Sequence, residues 1–293
     1  MMRILIVGSA GLLGSYLYRF GKKNGIGIMG LSRSESRYTD IRGDATNFEW
    51  LSQQVEKAKC DIVINTLKFK GSTDECEIKK KECWEANYLV PKKLASLQKE
   101  LGFGLVQIST DWIFDGTESK RYSETDVPYP RNFYAFSKYA AELTVKACFK
   151  YMILRTTGLF GYEKPARNFM ARFLESAKTE KQFEGATDQL SQPISALALS
   201  KIAIELIKRG GWNSVYHVTG PEYVSRFELA QKFAEYFRFP RDLVRPATSA
   251  ARTIYIPRNV AMDIKRTEMA LGRRIEDIEQ MLKDLDAFEE GYV

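Results

Sequence analysis

Short apolar runs rich in β-branched residues recur along the first half of the chain. They alternate with stretches in which apolar positions return every three or four residues. The runs at 3–8, 26–31, 61–67, 104–109 and 151–156 are apolar nearly throughout, the pattern of strands covered on both faces. The stretches at 88–97 and 134–147 carry helical periodicity. Thr46 with Glu49, and Ser225 with Glu228, have the spacing of a capping box at a helix start. Strands alternating with helices of this length predict an α/β fold, a doubly wound parallel sheet. Beyond about residue 160 the alternation fades. Helices are predicted at 169–178, 196–208, 227–237 and 275–288, between loops carrying Pro193, Pro221, Pro240, Pro246 and Pro257. The pattern divides the chain into a larger domain over 1–160 and a smaller, mostly helical lobe over 161–293. With no repeat or low-complexity linker between them, the two are expected to form one body and to interleave at the approximate boundary.

Composition narrows the function classes. The chain has 293 residues, 44% hydrophobic and 28% charged, an ordinary globular balance. No stretch approaches the ~20 continuous apolar residues of a membrane span. The opening Met1-Met2-Arg3-Ile4-Leu5-Ile6-Val7 is too short for a signal peptide and leads straight into a glycine turn, so a cytoplasmic protein is expected. Cys60, Cys76, Cys83 and Cys148 show no metal-binding spacing and are read as reduced structural thiols. The single histidine, His217, lies in the strand-like run Val215-Tyr216-His217-Val218 and is read as a packed residue. Histidine-based catalysis and metal sites thereby lose their usual ligand. The net charge of +7 suits anionic small molecules such as nucleotides and sugar phosphates. Lys and Arg are scattered without a nucleic-acid motif, and Lys79-Lys80-Lys81 reads as a solvated helix face, so no nucleic-acid partner is expected.

Gly8-Ser9-Ala10-Gly11-Leu12-Leu13-Gly14 places a GxxGxxG turn between the first strand and the first helix. Glycine lets such a turn fold tightly and lets the backbone approach a pyrophosphate, while the helix N-terminus offers N–H donors. Dinucleotide binding by a Rossmann-type domain follows. At the end of the second strand an acidic residue would bind the ribose of NAD. The chain instead has Ser32-Arg33, with Arg37 close behind. A guanidinium pairs with the extra phosphate of NADP, so NADP(H) is preferred over NAD(H).

Tyr134-Ala135-Phe136-Ser137-Lys138 sets a phenol and an ammonium one helical turn apart. A free tyrosine has a pKa of about 10. A neighbouring cation and an oxidised nicotinamide would both lower it. In the reductive direction the same hydroxyl protonates a carbonyl oxygen. Upstream, Val106-Gln107-Ile108-Ser109-Thr110-Asp111 ends a central strand, and a hydroxyl there faces the ligand crevice of such a sheet. Thr110 is therefore positioned to hold a substrate oxygen beside Tyr134.

The chain resembles the extended short-chain dehydrogenase/reductase family, and within it the dTDP-4-dehydrorhamnose reductase branch. The likeness runs through GSAGLLG at 8–14, GDATN at 43–47, STDWIFDG at 109–116, YSETD at 122–126 and YAFSK at 134–138. It continues through LRT at 154–156, RNF at 167–169, DQLSQPIS at 188–195, YHVTG at 216–220 and PRNVAMD at 257–263. The resemblance implies Thr110, Tyr134 and Lys138 as the catalytic set, with Tyr134 and Lys138 also touching the cofactor. It implies Gly8, Gly11, Leu12, Leu13, Gly14, Ser32 and Arg33 as cofactor contacts. Asp44 and Ala45 would approach the adenine, and Asn65, Thr66 and Leu67 would lie along the cofactor. Thr110, Asp111, Trp112, Tyr134, Asn168 and Arg258 would border a nucleotide-sugar pocket. Trp112 stands where related dehydratases carry an acid, which points to simple ketone reduction.

The implied activity is NADPH-dependent reduction of a 4-keto-6-deoxy nucleotide sugar, with dTDP-4-dehydro-L-rhamnose the default substrate. A homodimer is the family-level expectation. Gly158 replaces the branch's usual aromatic residue, and Asn65-Thr66-Leu67-Lys68-Phe69-Lys70 replaces its alanine-rich stretch. Ser15 and Ala196 stand where some relatives place magnesium-binding glutamates, so no metal is expected. Two other readings share the fold: a dinucleotide-binding regulatory subunit like that of methionine adenosyltransferase, and a nucleotide-sugar epimerase.

Overall fold

The computed structural model describes residues 2–118, 120–249 and 254–290. The first half runs β1 (Arg3–Val7), α1 (Leu12–Lys23), β2 (Gly27–Ser32), β3 (Ile41–Arg42), α2 (Phe48–Ala58), β4 (Ile62–Asn65), α3 (Glu75–Ile78) and α4 (Lys80–Trp84). It continues through α5 (Val90–Leu101), β5 (Gly104–Thr110), α6 (Phe133–Val145) and β6 (Tyr151–Thr156). The second half adds α7 (Phe169–Lys178), β7 (Phe183–Ala186), β8 (Leu190–Ser191), α8 (Ala196–Lys208) and β9 (Ser214–His217). It ends with β10 (Val224–Ser225), α9 (Arg226–Tyr236), β11 (Val244–Ala247), α10 (Lys265–Leu271) and α11 (Ile278–Glu290).

Seven parallel strands form the central sheet in the order β3-β2-β1-β4-β5-β6-β9, the doubly wound topology predicted from the alternation. The strands read as unbroken apolar runs because each face has its own core. Ile4, Ile6, Ile62, Ile64, Val106, Ile108, Met152 and Leu154 join one buried cluster with residues of α1, α7, α8 and α9. The alternate residues Leu5, Val7, Val63, Leu105 and Ile153 join a second cluster with α2 and α5. Side chains two apart share a face, so a single strand feeds both layers.

Beyond residue 160 the chain re-enters the same sheet through β9, and α8 contributes to the core beneath α1. The remaining strands form two short pairs, β8 with β10 and β7 with β11. Ser225 caps α9 with the predicted box: its hydroxyl accepts from Glu228 N, and the Glu228 carboxylate accepts from Ser225 N. The other predicted box is not formed. Asn47, not Thr46, caps α2 by accepting from Trp50 N at 3.1 Å. The Thr46 hydroxyl is drawn back to donate to Asp44 Oδ1 at 2.8 Å. Among the described residues no helix is long and apolar enough to cross a membrane.

Candidate functional site

All seven sheet strands point the same way, and the connections reverse between β1 and β4. The crevice at the carboxyl ends beside that reversal is where open α/β sheets bind ligands. The glycine turn after β1 and the 65–67 turn after β4 meet there. Gly8 has φ +95°, a conformation side chains rarely adopt, and a Cβ on it would fall 2.8 Å from Thr66 Oγ1. Thr66 Oγ1 donates to the Val7 and Gly8 carbonyls, fastening the two turns together. A Cβ on Gly14 would lie 2.3 Å from the Gly8 carbonyl oxygen, so only glycine lets α1 start this close to the strand.

The turn leaves its polar groups waiting. Gly11 caps α1 without a side-chain hydrogen bond, and the first turn carries no acid. The first N–H groups of Leu12, Leu13 and Gly14 therefore have no side-chain acceptor. The Ser9 hydroxyl, missed as a candidate although it sits inside the quoted motif, is buried with no hydrogen-bond partner. This cradle fits a pyrophosphate.

Arg33 and Asp44 follow β2 and β3 and pair at 3.2 Å, both well exposed. An exposed pair of this kind is weak, leaving the guanidinium open to a stronger anion. Ser32 is half-buried, and its carbonyl accepts from Gly43 N. Ala45 is buried. Asn65 is fully buried, with its amide donating to Gln107 Oε1 at 2.9 Å and accepting from Leu67 N. It shapes the turn, while Thr66 and Leu67 are half-buried.

β5 ends in Thr110, and the chain turns through Asp111–Ile113. Thr110 Oγ1 donates to Asp111 Oδ1 at 3.0 Å and accepts from Trp112 N. The Trp112 ring meets the Tyr134 ring edge-on, with centroids 5.9 Å apart at 88°. Burial lifts the Asp111 carboxyl to about 6, against hydrogen bonds from Thr157 and Thr110. Asn132 caps α6 by accepting from Ala135 N, which fixes Tyr134 and Lys138 in the first turns.

Lys138 is buried, and its ammonium donates to the Ile108 carbonyl at 2.7 Å. Burial pushes its pKa down to about 8, with the Glu142 carboxylate opposing. Burial also raises Tyr134 above the usual phenol range, and Thr110 opposes this by hydrogen bonding. The lowering expected from a neighbouring cation is thus outweighed in the protein by itself. The phenol keeps its proton at neutral pH.

Not every expected contact converges. Asn168 caps α7, accepting from Ala171 N and donating to the Gly161 carbonyl and Glu163 Oε2, so its side chain is spent on structure. Arg258 is exposed and pairs with Asp188 at 3.3 Å. Gly158 adopts φ +55°, and a Cβ there would sit 3.0 Å from Pro193 Cα. The turn itself excludes the aromatic residue usual in the branch. Two further groups escaped the sequence reading. The Tyr223 hydroxyl is buried without a hydrogen-bond partner and feels the Asp111 charge, and Arg226 acts on Asp111 from the start of α9. Tyr223 lies outside the motifs read from the sequence, and Arg226 falls within the Ser225–Glu228 box, which signals a helix start and not a charge near Asp111. His217 is buried, as expected, with Nε2 3.3 Å from Arg155 Nη1, and burial drives its pKa down to about 3. Among the described residues no group of three or more His, Cys, Asp or Glu could hold a metal ion.

The family model described as "RmlD substrate binding domain" matches residues 2–288. The chain belongs to that family, within the extended short-chain dehydrogenases/reductases. It is 27% identical to a dTDP-4-dehydrorhamnose reductase of Aggregatibacter actinomycetemcomitans, over 99% of this chain and all of that one. It is 31% identical to one from Burkholderia thailandensis, over 74% of this chain and 72% of the relative. A crystal structure of dTDP-4-dehydrorhamnose reductase from Bacillus anthracis, in complex with NADP, superposes with a TM-score of 0.86 at 26% identity. The match covers 98% of this chain and 99% of that one.

Proposed function

We propose that this protein is an NADP(H)-dependent ketoreductase acting on a 4-keto-6-deoxy nucleotide sugar, with dTDP-4-dehydro-L-rhamnose as the default substrate and the cytoplasm as its setting. The observation that carries the reading is Tyr134, protonated and stacked edge-on to Trp112, above the buried Lys138 ammonium and beside Thr110. The names borne by its relatives support the choice of sugar.

The cofactor, when bound, supplies hydride to the carbonyl carbon. Tyr134 gives its proton to the carbonyl oxygen; burial holds the phenol protonated beforehand, and the positive charges of Lys138 and of the oxidised nicotinamide ease the transfer against that shift. Lys138, anchored on Ile108 O, places a positive charge one helical turn away and steadies the phenolate left behind. Thr110 exchanges its Asp111 bond for the substrate oxygen and holds it towards Tyr134. Gly8, Gly11 and Gly14 bring the α1 N-terminus against the pyrophosphate. Arg33 takes the 2′-phosphate in place of Asp44, which is the basis for preferring NADP(H).

The test is loss of NADPH absorbance with dTDP-4-dehydro-L-rhamnose generated in situ, with NADH as a parallel donor. Turnover that disappears in Tyr134→Phe supports the assignment. A protein that binds NADPH yet turns over none of a panel of 4-keto nucleotide sugars rejects it.

A further inference from the structure

We infer that Cys76 and Cys83 form an intramolecular disulfide on oxidation, a modification site packed behind the catalytic helix. The two residues lie seven apart, and in one continuous helix that spacing would separate them by roughly 10 Å along the axis. The chain instead breaks at Lys79, between α3 and α4, with φ −98° and ψ 54°. The break folds the two short helices together and brings Sγ to Sγ at 2.7 Å. Non-bonded heavy atoms ordinarily rest roughly 3.5–4 Å apart. A disulfide needs about 2.05 Å. Bond formation therefore calls for less than about 1 Å of further approach.

The surroundings are built for this pair and not for a metal. Both sulfurs are buried with Phe69, against Ala86, Phe133 and Tyr134. Cys83 Sγ accepts from Asn87 Nδ2 at 3.2 Å and lies 3.7 Å from Ser137 Oγ. These groups favour its thiolate, and the Cys83 thiol is held below its ordinary range, chiefly by the bond with Cys76. Cys76 is shifted the other way, first by that same bond and then by burial. The Asn87 amide donating to Cys83 Sγ, with no such donor at Cys76 among the described residues, is the contact that makes Cys83 the attacking sulfur and Cys76 the resolving one.

Hydrogen peroxide serves as oxidant. Cys83 Sγ attacks one peroxide oxygen, the O–O bond breaks, and a water departs carrying the thiol proton. The Cys76 thiol then attacks the resulting sulfenic sulfur, the S–O bond breaks, and a second water departs with its proton. Two thiols are oxidised and one peroxide is reduced to two waters. All four cysteines are free thiols in the structure, as the sequence predicts, and the oxidation starts from that reduced state.

The test treats the full-length protein with hydrogen peroxide, blocks remaining thiols under denaturing conditions, and maps tryptic peptides by mass without reductant. Lys79-Lys80-Lys81 lies between the two cysteines, so trypsin releases them on separate peptides. The expected product is one linked pair containing Cys76 and Cys83, dissolved by dithiothreitol, with Cys60 and Cys148 outside it. Cys83→Ser should abolish the linked pair while the protein still folds, as judged by its melting curve. In the treated wild type the crosslink should raise Tm relative to the dithiothreitol-reduced form, and Cys83→Ser should show no such rise. Recovery of Cys76 and Cys83 unlinked after treatment, or a crosslink through Cys60 or Cys148, overturns the inference.

Discussion

Helix α6 buries two charges one turn apart, and they are treated in opposite ways. In its second turn Lys138 has no carboxylate in contact among the described residues, only the Ile108 carbonyl at 2.7 Å, and burial lowers its pKa to about 8. One turn on, Glu142 is fully buried and bound by Arg155 through Nε and Nη2 at 2.8–3.2 Å, with His217 completing the cluster. A buried charge with a matched partner is structural, because the pair satisfies itself. A buried charge held by a neutral carbonyl keeps its electrostatic influence for whatever enters the crevice. The same helix therefore separates a mechanical end from a chemical end, and each end makes its own predictions.

The largest effect is expected at the chemical end. Tyr134→Phe removes the proton donor and should lower kcat by about 10²–10⁴-fold. Equilibrium binding of NADPH should stay within about threefold, because the phosphate cradle lies on α1. A variant turning over at the wild-type rate would dissolve the distinction between the two ends. At the mechanical end, Arg155→Met leaves Glu142 buried without its cation. That should cost about 3–5 kcal/mol, seen as a fall in the urea midpoint. Replacing the pair together, as Glu142→Leu with Arg155→Met, should recover much of that loss, since no lone charge remains.

The contrast also shows what the sequence could convey. The strands were legible because both faces are buried, so Ile4 to Val7 needs no alternation to be recognised. The glycine turn and the Tyr134–Lys138 pair were legible because their geometry is local: one turn and one helical repeat. What failed depended on competition or distance. Thr46 and Asn47 are adjacent cap candidates, and the choice fell to Asn47 only because Asp44 captures the Thr46 hydroxyl. β7 pairs with β11, joining Phe183 to Val244 across some sixty residues, which no local pattern signals. Asn168 sits in a recognisable motif, yet the structure employs it as a helix cap. Residue type cannot distinguish a polar side chain turned on its own backbone from one turned towards a ligand.

A pH series sharpens the comparison further. Lys138 has its pKa lowered from 10.5 to about 8, so above about 8 the native chain has released a proton that the unfolded chain still holds. The unfolded state binds more protons between about 8 and 10.5, so this group's contribution to stability rises with pH across that window. Its contribution to catalysis runs the other way. As the ammonium is lost, kcat/KM should fall above about pH 8, approaching tenfold per pH unit. The stability difference between wild type and Lys138→Met, from denaturant titrations, should change with pH only within this window, and a flat alkaline limb of kcat/KM would mean that Lys138 stays charged throughout or is idle.

The smallest expected effect lies farthest from α6, at Arg33. Its guanidinium and the Asp44 carboxylate are exposed, and a pair of that kind contributes little to stability. Arg33→Ala should therefore leave the melting temperature nearly unchanged. Its influence should appear in the choice of cofactor, where a charge-assisted contact to the 2′-phosphate would be lost and NADPH affinity should drop ~3- to 10-fold. NADH affinity should hold or improve slightly. The quantity to measure is the ratio of the two dissociation constants in wild type and variant, by fluorescence titration. A ratio unmoved by the substitution would assign Arg33 to the surface pair with Asp44 and leave the cofactor preference to groups nearer the Ser32 end of β2.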